Sequence, residues 1–280
     1  MTPFELVEPA TIGEALNLLD PDDPAVRPIA GGTALMLMMK SGLYRPQRLV
    51  SLRALGPALT AISETPEGGL EIGAMVRLAE LERSAAVRRA APLIAETLLT
   101  HSNVRVRNVA TVGGNLAHGD PHMDLPPVLI SLGASVRAVG SGGEREIPVE
   151  ALFTGYMTTV LGNDELIAGL RVPPQTGRRA AYAKVTARSA DDWPALGLAV
   201  SVGASDMRVA IGAATETAMR LPQTEALLAG QPLDDRRLRE AGKCAAAEAP
   251  VVADLHGSAS YKRVLVEVHL RRVLQKALAA

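Results

Sequence analysis

The sequence predicts an α+β fold class with more than one domain, and three observations lead to this prediction. The chain has 280 residues, 48% of them hydrophobic, which is enough to bury a large core and favours more than one domain. A short αβ pattern comes first, and a segment with two prolines and a glycine at 172–179 later interrupts the chain. Beyond that segment, strand-like runs are followed by helix-like runs, an order typical of an α+β domain.

The N-terminal part is predicted to start as a small αβ unit. Residues 6–19 begin extended and continue into a short helix, in which Thr11 can cap the first turn and Glu14 lies three residues later. The apolar run 26–30 leads through a glycine turn into 34–40, a sequence of strong helix formers. We therefore expect a strand to end and a helix to begin at this turn, and a further strand at 49–52.

The middle of the chain is predicted to contain hairpins and helices. Residues 62–72 are apolar on both sides of the turn sequence PEGG, which indicates two paired strands. Residues 78–99 are rich in alanine and charged residues, and Pro92 interrupts them, so we expect two consecutive helices. The remaining expectations are a helix followed by a strand within 128–139, a hairpin turn at 140–143 and a strand at 166–172.

The segment 172–179 is the best candidate for a domain boundary, because consecutive prolines followed by glycine and two arginines cannot continue a helix or an inner strand. The C-terminal part beyond it is predicted to form a three-stranded antiparallel sheet and helices. The strands are expected at 181–186, 195–202 and 207–213, and the helices at 221–228, 234–249 and 258–278.

The overall composition excludes several classes of function. Lysine plus arginine (29) balance aspartate plus glutamate (30), and aromatic residues make up only 2%, so the chain lacks the positive charge and the stacking side chains of a nucleic-acid-binding protein. The N-terminus has no signal-peptide pattern and no apolar run reaches transmembrane length, so we expect a cytoplasmic protein. The single cysteine, Cys244, cannot hold an iron–sulfur cluster, a structural zinc ion or an internal disulfide. Redox chemistry on this chain would need an organic cofactor.

Two glycine segments, AGGT at 30–33 and TVGGN at 111–115, are the main candidates for ligand binding. Glycine lets backbone N–H groups approach an anion, and the first segment precedes a helix N-terminus, which favours negative charge. We predict that the two segments together bind the phosphates of a dinucleotide, and that a bulky residue at Gly32 or Gly114 would occupy the phosphate's space. An ordinary tight turn is the alternative for either segment alone. Rossmann, P-loop, zincin and serine-hydrolase motifs are missing.

A polar loop follows the second glycine segment and contains HGDPH at 118–122. The side chains available there offer donors and acceptors for the sugar or base of a nucleotide: Asn115, His118, Asp120, His122 and Asp124. A metal site is the alternative, but glycine and proline make the segment a loop and no third histidine or cysteine is close, so loop ordering or nucleotide contact is preferred.

Two features of the C-terminal part have a structural and a functional interpretation. Trp193, the only tryptophan, is expected to be a packing residue at the start of a strand, with a position against the ring of a bound cofactor as the alternative. A basic stretch in the last helix fits a solvated face, with docking to a protein partner as the alternative. Its residues are Lys262, Arg263, Arg271, Arg272 and Lys276.

With these residues in place, the chain resembles the FAD-binding medium subunits of the molybdenum hydroxylases, the family that includes xanthine dehydrogenase and aerobic carbon monoxide dehydrogenase. The resemblance covers nearly the whole chain. It rests on FELVEP at 4–9 leading to EAL at 14–16, on AGGTAL at 30–35 and, most specifically, on VRNVATVGGNL at 106–116. Further similarities are DP at 120–121, DLPP at 124–127, YAK at 182–184, DWP at 192–194, YKR at 261–263 and RR at 271–272.

The resemblance implies a bipartite FAD-binding fold followed by a C-terminal domain with a three-stranded antiparallel sheet and helices. It implies a small N-terminal αβ subdomain at 1–56, a larger α+β subdomain at 57–174 and the C-terminal domain at 178–280. FAD would bind extended, with its pyrophosphate and adenosine on the two glycine segments, Asp124 facing the ribose region, and Lys184 and Trp193 nearer the flavin. The implied cofactor-binding residues are Ala30, Gly31, Gly32, Thr33, Ala34, Leu35, Asn108, Thr111, Gly113, Gly114, Asn115, His118, Asp120, Asp124, Lys184 and Trp193. No catalytic or metal-binding residue is implied.

The resemblance further implies the flavin subunit of a heterotrimer, doubled to a dimer of heterotrimers. The partners would be an iron–sulfur small subunit carrying [2Fe–2S] clusters and a large subunit carrying the molybdenum cofactor. FAD would accept electrons from a cluster and pass them to NAD, a quinone or oxygen. Two alternatives stay open: a self-sufficient FAD-dependent oxidase or reductase, which would turn over alone with a small donor, and a non-catalytic nucleotide-binding assembly module, which would hold a nucleotide without redox cycling.

Overall fold

The chain begins with a small parallel sheet in the computed structural model, which describes residues 2–230 and 233–279. The elements of this part are β1 (Glu5–Val7), α1 (Ile12–Leu18), β2 (Val26–Ile29), α2 (Leu35–Lys40) and β3 (Arg48–Ser51). β3 lies between β1 and β2 and is parallel to both. The Thr11 hydroxyl accepts a hydrogen bond from the Glu14 N–H, so the predicted helix cap is confirmed. The expected order of strand, glycine turn and helix at 26–40 is confirmed as well.

The middle of the chain forms a five-stranded antiparallel sheet in the order β4 (Ile62–Glu64), β5 (Leu70–Gly73), β10 (Leu166–Val172), β6 (Ser135–Gly140) and β7 (Gly143–Pro148). The hairpin predicted at 62–72 and the hairpin turn predicted at 140–143 are confirmed by the pairing of β4 with β5 and of β6 with β7. In chain order the elements are β4 (Ile62–Glu64), β5 (Leu70–Gly73), α3 (Leu78–Arg83), α4 (Ala85–Ala90), α5 (Pro92–Leu98), α6 (Val104–Arg107), α7 (Val112–His118), α8 (Leu125–Leu132), β6 (Ser135–Gly140), β7 (Gly143–Pro148), α9 (Val149–Leu152), β8 (Phe153–Gly155), β9 (Thr158–Thr159) and β10 (Leu166–Val172).

The stretch from α3 to α5 contains three helices, whereas the sequence predicted two. Pro92 is the first residue of α5, so the expected break is present. The additional break lies at Ser84, which is extended (φ −62°, ψ 124°) and whose hydroxyl accepts a 3.4 Å hydrogen bond from the Val87 N–H. A serine side chain can compete with the helix for backbone groups in this way without proline or glycine. The break was not predicted because Ser84 stands within a run of helix-forming residues.

The C-terminal part is a four-stranded antiparallel sheet with three helices. The three predicted strands and the three predicted helices are confirmed, and β14 (Met219–Arg220) adds a fourth strand of two residues, too short to produce a recognisable pattern. The elements are β11 (Arg179–Val185), β12 (Leu196–Val202), β13 (Met207–Gly212), β14 (Met219–Arg220), α10 (Pro222–Leu228), α11 (Asp235–Glu248) and α12 (Ala259–Ala279).

The C-terminal sheet lies between helices of two different parts of the chain. Ala199 of β12 and Ala210 of β13 belong to the apolar core that contains α8, whereas Leu198 and Val200 pack with α11 and α12. β12 is therefore buried along its whole length, and burial on both faces explains why its sequence LGLAVSV does not alternate between apolar and polar residues. None of the helices within the described residues combines the length and the apolar character needed to cross a bilayer.

Candidate functional site

A cavity of about 700 Å³ opens beside the carboxyl end of β2. Its walls are the first glycine segment, the start of α7, the loop between α7 and α8, and the segment that precedes β12. A cavity of this size is typical of cofactor sites. All of the predicted cofactor-binding residues except one line it: Ala30, Gly31, Gly32, Thr33, Ala34, Leu35, Thr111, Gly113, Gly114, Asn115, His118, Asp120, Asp124, Lys184 and Trp193.

Asn108 is the exception and does not line this cavity. It directly follows α6, its N–H donates to the Val104 carbonyl at 3.0 Å, and the residue is exposed. The next two residues have a packing role, because a Cβ at Gly31 would lie within 3 Å of backbone atoms of Val109 and Ala110. This part of the 106–116 motif contributes to the site by packing.

The first glycine segment presents a row of unused backbone donors to the cavity. From Gly31 to Leu35, five consecutive N–H groups have no hydrogen-bond acceptor among residues 2–230 and 233–279. Gly32 has a left-handed φ of 68°, a conformation that favours glycine. Consecutive free N–H groups around such a residue form the type of concavity that binds anions.

The second glycine segment differs from this expectation, because its backbone donors are already used. Residues 112–115 form the first turn of α7, and the Gly113 N–H donates to the Ala74 carbonyl at 2.8 Å. The Gly114 N–H donates to the Thr111 hydroxyl at 3.2 Å, and the N–H groups of Val112 and Asn115 donate to Val76 and Thr111 carbonyls. The expectation that both segments offer free N–H groups therefore holds for the first only. A Cβ at position 113 would lie 2.7 Å from the Ala74 Cβ, so this glycine allows the helix to approach β5 closely.

A buried polar network forms one wall of the cavity, centred on Asp124. This carboxylate is 2% exposed and accepts hydrogen bonds from His101 Nδ1 at 2.8 Å, the Tyr182 hydroxyl at 2.7 Å and Lys184 Nζ at 3.1 Å. Lys184 Nζ also donates to the Thr100 carbonyl at 2.8 Å. Burial, together with the charge of Asp124 and the hydrogen bond to it, raises the pKa of Tyr182 well above its usual value, so the phenol stays protonated and keeps donating.

Asn115 extends this network and leaves one acceptor unused. Its Nδ2 lies 3.3 Å from His101 Nε2, so the proton of His101 resides on Nδ1, which donates to Asp124. The Asn115 Oδ1 atom is buried and has no hydrogen-bond partner within the described part of the chain. Because Asn115 lines the cavity, this atom is available to a donor group of a bound molecule.

A second polar cluster joins the loop between α7 and α8 to the C-terminal part. His122 Nδ1 lies 3.0 Å from Asp120 Oδ1, and His122 Nε2 lies 2.9 Å from Asp254 Oδ2. Although burial disfavours the charged ring, the hydrogen bonds to the two carboxylates raise the pKa of His122. Burial lowers the pKa of His118, with only partial compensation by Asp120, so His118 is the neutral histidine of the pair.

Sequence reasoning missed several residues that the fold places around the cavity. His101 was not selected, because its partners Asp124 and Asn115 are distant in sequence and no local pattern marks it. Ser102 and Met157 also line the cavity, and both have a left-handed φ although they are not glycine (53° and 51°). Such backbone strain clusters at functional sites, but only coordinates reveal it. The apolar side of the cavity was also missed, and includes Leu52, Met75, Leu161, Leu166 and Ile167.

Comparison with known proteins assigns a family to both halves of the chain. The family model described as the FAD binding domain in molybdopterin dehydrogenase matches residues 2–175. The model described as the CO dehydrogenase flavoprotein C-terminal domain matches residues 180–277. Together they cover nearly all of the chain, including every residue that lines the cavity.

Curated relatives match over almost their whole length. The nicotine 6-hydroxylase medium subunit of Paenarthrobacter nicotinovorans is 32% identical over 96% of this chain and 95% of its own. The carbon monoxide dehydrogenase medium chain of Hydrogenophaga pseudoflava is 32% identical over 99% of this chain and 97% of its own.

Solved structures agree with this assignment in fold. A chain of carbon monoxide dehydrogenase from Hydrogenophaga pseudoflava, in a form that lacks the Mo-pyranopterin moiety of the molybdenum cofactor, superposes with a TM-score of 0.94, at 33% identity and 100% and 99% coverage. A chain of quinoline 2-oxidoreductase from Pseudomonas putida 86 superposes with a TM-score of 0.91, at 27% identity and 99% and 97% coverage. The chain belongs to the family of FAD-binding medium subunits of the molybdenum hydroxylases, and FAD is its cofactor.

Proposed function

We propose that this chain is the electron-transfer flavin subunit of a molybdenum hydroxylase, in which FAD accepts electrons from [2Fe–2S] clusters of a partner subunit and passes them to NAD, a quinone or oxygen. Family membership supports the proposal, since the relatives named above are medium subunits of multi-subunit dehydrogenases and hydroxylases. The single cysteine also supports it, because clusters would have to be held by other chains. The proposed complex is a heterotrimer with an iron–sulfur small subunit and a molybdenum-binding large subunit, doubled to a dimer of heterotrimers and located in the cytoplasm.

One observation carries the proposed binding mode: the five N–H groups of 31–35 and the Asn115 Oδ1 atom, none of which has a hydrogen-bond partner among the described residues, belong to residues that line the same cavity. The first group of donors suits the pyrophosphate of FAD, which is an anion without donors of its own. Asn115 Oδ1 suits a hydroxyl or N–H group of the same molecule. The residues present therefore fit FAD, with donors where the cofactor has acceptors and an acceptor for one of its donors.

The second glycine segment has a different proposed role from the first. Its amides are internally bonded, so we assign it to shaping the cavity wall and to orienting Asn115 one residue after the glycine pair. Lys184 and Trp193 line the side of the cavity formed by the C-terminal part, and we propose that they lie nearer the flavin. The proposed domain limits remain 1–56, 57–174 and 178–280.

The chemistry requires little acid–base catalysis from this chain. When bound, FAD supplies reversible two-electron redox chemistry, and the protein supplies position, electrostatics and control of access. The 31–35 segment would anchor the phosphates, and the Asp124 network would keep its wall rigid, because each of its three donors is held by a buried carboxylate.

The function is tested by isolating the chain from its native host with an affinity tag and recording its visible spectrum and companions. We expect FAD in the released cofactor fraction and two co-purifying chains, one of them rich in cysteine. Reduction of the complex by its substrate should bleach the flavin absorption before an acceptor is added. A chain that purifies alone and turns over a small donor without companions would support the self-sufficient oxidase or reductase instead.

Replacing Asn115 by leucine tests the binding mode. We expect the Kd for FAD to rise about tenfold, because leaving a buried polar group without its hydrogen-bond partner costs about 1–3 kcal/mol and 1.4 kcal/mol corresponds to a factor of ten. The measurement is a fluorescence titration with FAD. Asn17→Leu, the same change at an exposed position of α1, is the matched control and should leave the Kd unchanged. Equal affinity of Asn115→Leu and the parent chain would remove Asn115 from the site.

A further inference from the structure

We propose that His122 is a positioning residue, held as an imidazolium, which ties the loop between α7 and α8 to the C-terminal domain and fixes the indole of Trp193 at the cavity wall. The family resemblance and the proposed electron transfer assign no role to this histidine. The statement that Trp193 forms a wall for FAD rests on the proposed function, whereas the imidazolium and its contact with Trp193 concern the chain alone.

The protonation state follows from geometry. Both ring nitrogens of His122 face carboxylate oxygens, Asp120 Oδ1 at 3.0 Å and Asp254 Oδ2 at 2.9 Å. A neutral imidazole has one donor and one acceptor, so it can satisfy only one of these carboxylates, whereas the imidazolium donates to both. The His122 side chain is mostly buried (11% exposed). In a neutral ring, the nitrogen without a proton would face a carboxylate oxygen, and two buried acceptors in contact would be unfavourable.

The two carboxylates are themselves anchored, one on each side of the contact. Asp120 Oδ1 also accepts the backbone N–H of His122 at 2.8 Å, which fixes the loop. Asp254 also accepts a hydrogen bond from Lys262 Nζ, a fully buried ammonium on α12 that donates to the Ala213 carbonyl at 2.9 Å. The His122 ring therefore joins the cavity loop to a buried charge pair of the C-terminal domain.

A backbone hydrogen bond forms a second connection between the loop and the C-terminal domain. The Ala213 N–H donates to the Pro121 carbonyl at 2.8 Å, so the same residue that holds Lys262 also holds the residue before His122. Ala213 has a left-handed φ of 63°, which an alanine adopts only where its surroundings impose it. Two independent links thus hold the loop at this point, one through the backbone and one through His122.

Trp193 lies directly against the ring of His122. The two ring centroids are 5.6 Å apart with an interplanar angle of 77°, an edge-to-face arrangement favoured between aromatic rings. The His256 ring also contacts His122, with a distance of 5.0 Å between the two ring centroids. Trp193 is 43% exposed and lines the cavity. Because the His122 ring is held by Asp120 and Asp254, packing against it gives the half-exposed indole a fixed position.

The arrangement predicts that the stability of the contact between the loop and the C-terminal domain depends on pH. The charged and titratable groups that face His122 are Asp120, Asp254 and His256. His118 lies near Asp120, and Lys262 contacts Asp254. The pKa of His122 is raised, so its stabilising contribution is complete below the ordinary histidine pKa of 6.5 and is lost as the pH rises through the higher folded-state value. Although burial raises it, hydrogen bonds from Lys262 and His122 lower the pKa of Asp254 to about 2, so this carboxylate's contribution is lost only as the pH falls from 3.8 through about 2.

The experiment uses tryptophan emission from the full chain without FAD, because Trp193 is its only tryptophan. A neighbouring imidazolium quenches indole emission, so we expect low emission at pH 6 and a rise as the pH increases through the raised pKa of His122. His122→Gln should show high emission without this step. His256→Gln is the matched control and should retain the step, whereas Asp254→Asn should move it to lower pH.

A second measurement needs no variant to fold. In the parent chain labelled with ¹⁵N-histidine, a pH titration of the imidazole spectrum should show one of the five histidines protonated on both nitrogens and losing its second proton only above the ordinary histidine pKa of 6.5. No such imidazolium, or a step in emission that persists in His122→Gln, would overturn the proposal. The affinity for FAD is measured separately in the same preparations. A chain that shows the imidazolium and its contact with Trp193 but binds no FAD would refute the proposed function and leave this inference intact.

Discussion

Replacing Gly31 by alanine is expected to raise the Kd for FAD about 10–100-fold. An added Cβ would lie 2.2 Å from the Val109 carbonyl oxygen and 2.9 Å from the Ala110 Cα, both of them backbone atoms. Backbone cannot rotate away as the end of a side chain can, so the first glycine segment would have to move off the chain that precedes α7. Overpacking of this kind costs about 1–3 kcal/mol, and the stated 10–100-fold range corresponds to about 1.4–2.8 kcal/mol of that cost falling on the bound geometry.

The physical reason differs from the one the sequence suggested. A bulky residue at Gly32 or Gly114 was expected to occupy the phosphate's space. The structure instead shows protein atoms against these positions: Val109 at Gly31, and the Thr111 hydroxyl 2.9 Å from a Cβ at Gly114. At Gly32 the left-handed φ of 68° is an additional obstacle to any other residue. At Gly31 the missing side chain lets the first segment lie against the chain that precedes α7, and loss of FAD binding would follow from their separation.

The control for this prediction is Gly142→Ala in the turn between β6 and β7, where an added Cβ meets nothing within 4 Å and no positive φ is needed. Both variants are titrated with FAD and unfolded with urea in the absence of FAD. We expect Gly142→Ala to match the parent chain in both assays. If Gly31→Ala binds FAD with parental affinity, the contact between the two segments does not support the cofactor site.

Replacing Asp124 by alanine is expected to produce the largest loss of stability. The substitution leaves Lys184, His101 and Tyr182 without their shared acceptor, and Lys184 with the Thr100 carbonyl alone. Removing one partner of a buried ion pair costs about 3–5 kcal/mol because the other charge stays buried. Since the total stability of a domain is about 5–15 kcal/mol, much of the variant should be unfolded or unable to retain FAD.

A second variant separates the buried charge from the other contributions. The double variant Asp124→Leu with Lys184→Met removes both charges and should recover part of the loss, because apolar pairs of similar volume can replace buried ion pairs. Asp22→Asn, at an exposed aspartate whose side chain has no partner within the described residues, should change the free energy of unfolding by less than about 0.5 kcal/mol. A loss in Asp124→Ala no greater than in Asp22→Asn would contradict the assigned role of the network.

Local signals in the sequence account for most of the secondary structure. Thr11 and Pro92 mark helix starts because a hydroxyl cap and a missing N–H act within one turn of chain. The turn at 140–143 was visible because glycine-rich sequences permit the backbone of a tight hairpin. The break at Ser84 and the short β14 were missed, since a single cap inside a run of helix formers and a strand of two residues leave little pattern.

By itself, the sequence determined the family, most of the order of strands and helices, and a set of cofactor-binding residues of which all but Asn108 line the cavity. Only the tertiary structure decided which of them have free atoms to offer. The Gly113 N–H donates to the Ala74 carbonyl, whereas the N–H groups of 31–35 have no acceptor in the part of the chain that the structure describes. In the same way, Asp124 meets Tyr182, and His122 meets Asp254, across long separations in sequence. Whether a polar group is available to a ligand depends on which distant part of the chain folds against it, and that information is not local.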